Sequence, residues 1–115
     1  MIAVIFEVEP HPDRKDEYLR EAARLKPILE SMDGFISVER FESLATPGRI
    51  LSLSIWRDEE AVRAWRNAEA HRETQHQGRE RIFRDYRLRV AAVLRDYGMN
   101  ERAEAPADSR AAHGA

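Results

Sequence analysis

The apolar residues change period along the first 97 positions in a definite order, and that order restricts the fold more than any single residue does. Ile2 to Val8 is β-branched and aromatic and is closed by Pro10 and Pro12, which predicts a strand. Ile2, Val4, Phe6 and Val8 share one of its faces, and Ala3, Ile5 and Glu7 the other. Asp13 stands at an N-cap position ahead of Tyr18, Ala22, Leu25, Leu29 and Met32, whose spacing of four and three is the stripe of a helix with one buried face. Pro27 removes a backbone donor inside that helix, so a kink or restart near Arg24 is expected. Asp33-Gly34 ends it. Phe35 to Leu44 and Arg49 to Trp56 read as strands joined at Thr46-Pro47-Gly48. Asp58 caps a second helix with Glu59 and Glu60 in its first turn, and this helix is expected to run to Arg79. Ile82 to Leu94 is the fourth strand. Ile82, Tyr86, Leu88, Val90, Ala92 and Leu94 lie on one side of it, with Phe83, Asp85, Arg87, Arg89, Ala91 and Val93 on the other.

Strand, helix, strand, strand, helix, strand is the split βαβ order of an α+β, ferredoxin-like βαββαβ domain: an antiparallel four-stranded sheet with both helices on one face. The second face then holds Ser37, Glu39, Ser52, Ser54, Asp85, Arg87 and Arg89 together with Phe35, Phe41, Trp56, Phe83 and Val93. That mixture is too polar for a core and too aromatic for plain exposure. A homodimer is the expected solution, two sheets facing each other as a barrel with helices outside and Arg87 and Arg89 paired to Glu39 or Asp85 across the interface. The domain is expected over residues 1–97. Residues 98–115 contain one sizeable apolar side chain, Met99, and are expected as a disordered tail in which His113 has no role.

Composition narrows the function. Lys plus Arg number 19 against 21 Asp plus Glu, a formal net charge of -2, so there is no electrostatic case for nucleic acid or an anionic membrane. The absence of cysteine excludes disulfides, thiolate nucleophiles and Cys-based zinc sites. The N-terminal apolar run lacks a basic region and is too short for a signal peptide or a membrane span, so a cytoplasmic location is expected. There is no glycine-rich phosphate loop, His-Glu-x-x-His pair or serine elbow, and His71 and His76 do not share a helical face, so no metal site is expected.

Trp56, then Asp-Glu-Glu-Ala at 58–61, an aromatic residue at 65 and a histidine at 71, with Gly34-Phe35 opening the second strand, resembles the antibiotic biosynthesis monooxygenase domain of the dimeric α+β barrel superfamily, over roughly residues 1–97. The resemblance implies an oxygenase that oxidises a small aromatic substrate of phenol or quinol type with dioxygen and needs no cofactor. The alternative is a non-catalytic small-ligand-binding or stress-related dimer of the same fold, or a haem-binding or haem-degrading relative. Haem-degrading relatives use a tryptophan and a histidine in the second helix and an asparagine in the first strand; Trp65 matches, His76 is about one residue out of register, and Phe6-Glu7 offers no asparagine.

Trp65 reads either as a core anchor or as a flat wall for an aromatic substrate; Trp56, at a strand end, reads as packing. The resemblance makes His71 the catalytic base, since an imidazole with a near-neutral pKa suits proton abstraction from a phenol. His76 is its rival. On an unbroken helix His76 lies at nearly the azimuth of Trp65, whereas His71 points largely away; a break near Asn67 reverses the preference for His76. Tyr86 on the buried face of strand four is either core or a donor to a substrate oxygen. Arg40 shares a face with Ile36 and Val38, where it either snorkels, pairs with Glu42 or Glu7, or binds an anionic oxygen. The substrate-binding set is therefore Trp65, Tyr86, Arg40 and His76.

Overall fold

The computed structural model describes residues 1–68, 72–73, 75–76 and 78–114, with the side chains of Gly78 and Glu80 left out. Its first six main elements are β1 (Ile2–Pro10), α1 (Lys15–Glu30), β2 (Phe35–Glu42), β3 (Ile50–Trp56), α2 (Glu59–Arg66) and β4 (Phe83–Ala92), followed by α3 (Ala107–His113). The sheet order is β2-β3-β1-β4, with each neighbouring pair antiparallel. This is the ferredoxin-like arrangement expected from the order of elements.

Several local expectations are corrected. Asp13 does not cap α1; it lies in a 3-10 turn, Pro12–Arg14, and Arg14 takes the N-cap position without a side-chain bond. Helix α1 runs unbroken through Pro27. Pro27 and Ala23, whose carbonyl loses its usual partner, are both exposed, so that carbonyl is open to solvent rather than buried unpaired. Helix α2 stops at Arg66 rather than Arg79: Asn67 is its C-cap, with its side-chain amide donating to the Arg63 carbonyl at 3.0 Å. Helical residues recur at 72–73 and 75–76. After Tyr97, where a disordered tail was expected, the chain carries α3, and Arg102 reaches the Gly98 carbonyl and the Ser109 hydroxyl and stacks over Tyr97.

Register decides which face of the sheet meets the helices. Ile2, Val4, Phe6 and Val8 of β1 oppose Trp56, Ser54, Ser52 and Ile50 of β3, and residues directly opposite project to the same side. Ser52, Ser54 and Trp56 therefore face α1 and α2, a correction to their expected place on the second face. Two bulges move aromatics the same way. The pairing shifts between Phe35 and Ser37, which sets Phe35 against Trp56 with ring centres 5.4 Å apart. It shifts again opposite Glu9 and Pro10, which brings Phe83 to the side of Phe6 and Tyr18, at 5.7 Å and 5.8 Å. The far face is consequently more apolar than expected at its centre, with Ala3, Ile5, Leu51, Leu53 and Ile55, and it is edged by Glu39 and Phe41 on β2 and Arg87 and Arg89 on β4. Arg89 pairs with Glu7 of its own chain at 2.9 Å.

The core on the helix side divides into two clusters. Val8, Tyr18, Ile50 and Ile82 form one, joined by Phe6 and Phe83. Leu29, Trp56, Ala61 and Val62 form the other, joined by Val4, Met32, Phe35, Val38 and Trp65 among others. Tyr18 and Leu29 lie at the two ends of the α1 stripe, about 16 Å apart at 1.5 Å per residue. The β3 residues below read Ile50, Ser52, Ser54, Trp56: bulk at both ends and two small side chains between.

A corner at Gly34 fixes how α2 leaves the sheet. Gly34 has φ +85, and a Cβ there would lie 2.6 Å from the Ala61 Cβ, so glycine is required both for conformation and for space. The Gly34 carbonyl accepts from the Arg57 backbone N–H at 2.8 Å. The Arg57 guanidinium holds the Asp33 carboxylate at 3.0 Å and the Asp58 carboxylate at 2.9 Å, which lowers the pKa of both acids and raises that of Arg57. Asp58 also accepts from the Ala61 N–H at 2.9 Å, the cap that the sequence called for.

Candidate functional site

The small side chains in the middle of the β3 face leave room beneath α1, and a cavity of about 300 Å³ opens there between the two core clusters. Such a volume is at the lower end for small-molecule sites, roughly 300–1,000 Å³. Val4, Phe6 and Ser54 form part of its floor, Leu25 and Leu29 of α1 part of its roof, and Val62 and Trp65 of α2 one wall. On the β4 side Tyr86, Leu88 and Val90 line it while remaining 37%, 48% and 46% exposed, so the cavity opens along that strand.

Trp65 is at once a packing residue beside Trp56 and Val62 and part of the cavity wall; the two readings of it are compatible. Trp56 is buried to 1% exposure, and its indole N–H donates to the Ser54 hydroxyl at 2.9 Å. Tyr86 lines the cavity but is not buried. Its hydroxyl accepts from Arg79 at 3.0 Å, and the guanidinium carbon of Arg79 sits 5.9 Å from the ring centre. Arg40 lines the cavity from β2, and its Nε is buried with no hydrogen-bond partner among the described residues. The two acids suggested as partners are engaged elsewhere: Glu42 by Lys15 at 3.0 Å and Glu7 by Arg89.

His76 is exposed and does not line the cavity, although its neighbour Gln75 does. The helix break that bears on the two histidines exists, since α2 ends at Arg66; His71 itself lies outside the described residues. None of the described histidines lines the cavity, and among the described residues no cluster of three or more His, Asp or Glu side chains is arranged to hold a metal. No described helix is long and apolar enough to cross a membrane.

Sequence reasoning missed Ser54, Lys26, Arg66 and Arg79 as lining residues. Ser54 was legible only through the register with β1. Arg79 was obscured by reading α2 as one rod that ends there.

Residues 1–77 match the family described as antibiotic biosynthesis monooxygenase. The chain belongs to that family. Among curated proteins it is 46% identical over 101 residues to a jasmonate monooxygenase of Pyricularia oryzae, a match covering 88% of this chain and 47% of the fungal protein, so the chain spans about half of that relative's length. It is 30% identical over 78 residues to the uncharacterized protein YqjZ of Bacillus subtilis, covering 68% of this chain and 67% of that protein. Among solved structures, Rv0793 of Mycobacterium tuberculosis superposes with a TM-score of 0.75 at 22% identity, covering 84% of this chain and 98% of the other; it shares the fold.

Proposed function

We propose that the chain is a cofactor-independent monooxygenase that oxidises a small ring-bearing substrate of phenol or quinol type with dioxygen in the cavity between helices and sheet. The observation that carries this reading is the cavity itself: a largely apolar space beneath α1, in a member of a family named for monooxygenation. A quinol and dioxygen give a hydroxyquinone and one water, with all four electrons supplied by the substrate. The protein's task is then to remove a proton and to hold the electron-rich anion against oxygen in a water-poor space. His71, just past the break after α2, is the proposed base. Trp65 supplies a flat wall, and Tyr86 and Arg40 orient substrate oxygens. His76, being exposed, is given at most a place at the rim.

Oxygen uptake with a panel of hydroquinones tests the reading. Uptake by the native protein that falls about 100-fold in His71→Ala is expected for a general base. Equal rates remove His71 from the mechanism, and no uptake with any member of the panel removes the phenol or quinol class.

We further propose that two copies pack through the far face of the sheet. Phe41 is 44% exposed beside the apolar centre formed by Leu51, Leu53 and Ile55, a composition suited to an interface core. A monomeric mass by light scattering at micromolar concentration would overturn this.

A further inference from the structure

We infer that the cavity is built for an amphiphilic carboxylate whose head group is held by Arg40 while its apolar body lies across the sheet toward β4. The inference rests on the cavity being the substrate site and specifies what enters it. A guanidinium is protonated at every accessible pH and presents a planar fork that matches a carboxylate. The Nε of Arg40 is buried at an apolar cavity without a partner among the described residues, and the nearest acids the sequence offered it are taken by Lys15 and Arg89. A buried donor left without an acceptor costs free energy, so its persistence asks for a ligand that completes it.

Two further observations point the same way. Among the described residues, the charged side chains lining the cavity are Lys26, Arg40, Arg66 and Arg79 against Glu21 alone, and Glu21 is engaged by Arg24 at 2.9 Å. The local field therefore favours an anion. The register also lays out a track: Arg40 pairs with Ser52, Ser52 with Phe6, and Phe6 with Leu88, a single row of the sheet from the β2 edge to the β4 opening. Three strand spacings amount to about 14 Å. A ligand with its carboxylate at Arg40 crosses that row over Phe6, which lines the cavity, and reaches the Tyr86–Arg79 pair with its other end. Phosphate esters suit the site less well, since the walls beyond Arg40 are mainly Val, Leu and aromatic side chains.

Binding is measured calorimetrically, with no oxygen chemistry involved, using a series of phenylalkanoates of increasing chain length and their methyl esters. At least one acid is expected to bind, about tenfold or more tighter than its ester, and to raise the melting temperature. Arg40→Gln is expected to remove that preference while binding the ester unchanged, and Arg40→Lys to retain part of it. Without ligand, Arg40→Met is expected to melt no lower than the native protein, because a buried donor without an acceptor has been removed. Equal affinity for acid and ester, no binding by any acid of the series at millimolar concentration, or a marked loss of ligand-free stability in Arg40→Met each overturns the proposal. Acid binding without oxygen uptake on hydroquinones leaves it standing and removes the phenol or quinol class; uptake without a preference for acids overturns it and leaves that class standing.

Discussion

Replacing Gly34 with alanine tests the physical account of how α2 is set over the sheet. The residue sits at φ +85, where an L side chain costs about 1–2 kcal/mol. The added Cβ would meet the Ala61 Cβ at 2.6 Å, against ordinary carbon–carbon contact at about 3.5–4.0 Å. Ala61 is on the helix and buried to 4% exposure, so relief requires moving the first turn of α2 by about 1 Å, an overpacking penalty of roughly 1–3 kcal/mol. The sum, roughly 2–5 kcal/mol, is a large share of the 5–15 kcal/mol by which such domains are stable. Urea unfolding followed by tryptophan fluorescence reads it directly. The double variant Gly34→Ala/Ala61→Gly separates the two causes: opening space at 61 is expected to recover the overpacking part, about 1–3 kcal/mol, as a coupling energy while the backbone strain remains. Because Val62 and Trp65 on the same helix wall the cavity, ligand affinity is expected to fall in Gly34→Ala and to return partly in the double variant. A loss below about 0.5 kcal/mol, or strict additivity in the cycle, refutes the reasoning.

Ser54→Ala leaves the buried Trp56 indole N–H without its acceptor and is expected to cost about 1–3 kcal/mol in chemical denaturation, whereas a serine at an ordinary exposed position would cost almost nothing. Val90→Trp places a large ring at the cavity mouth on a strand position already 46% exposed, so calorimetry should show ligand binding lost while the melting temperature stays near that of the native protein. Acid should weaken the fold through three carboxylates: Glu9, held low by hydrogen bonds from Arg49 and Arg84, Asp33, held low by Arg57, and Asp58, held low by Arg57 and the Ala61 N–H. Each has a depressed pKa in the folded state, so its contribution is present above the ordinary carboxylate values and lost as pH falls through the folded-state values. Melting temperatures should be insensitive to these groups near neutrality and decline below about pH 4, with a shallower decline in Arg57→Met. An equally steep decline in that variant would show that Arg57 does not set the acid response.

Much of the fold is local information. The period-two runs of β1 and β3, the Tyr18–Leu29 stripe of α1, the Asp58 cap and the Asp33-Gly34 stop are each fixed by residues within a few positions of one another, and the order of these elements leaves little choice of topology. What escaped was non-local. A period-two pattern says which residues share a face but not which face meets the helices, and only the pairing of β3 with β1 placed Ser52, Ser54 and Trp56 on the helix side, the last two of them at the cavity. A bulge inverts that parity in a single step, which is how Phe35 and Phe83 joined the core. The end of α2 was equally hidden, because its polar continuation lacks the apolar spacing from which a helix boundary is read. Arg40 shows the division most clearly. Its presence on an apolar face was visible as an oddity in the sequence, but its Nε proved unpartnered among the described residues only after the tertiary structure had committed Glu42 to Lys15 and Glu7 to Arg89. Local sequence sets period, caps and turns because those depend on near neighbours; register, bulges and the allocation of charges depend on residues brought together from distant parts of the chain, and these determined where the cavity lies and what lines it.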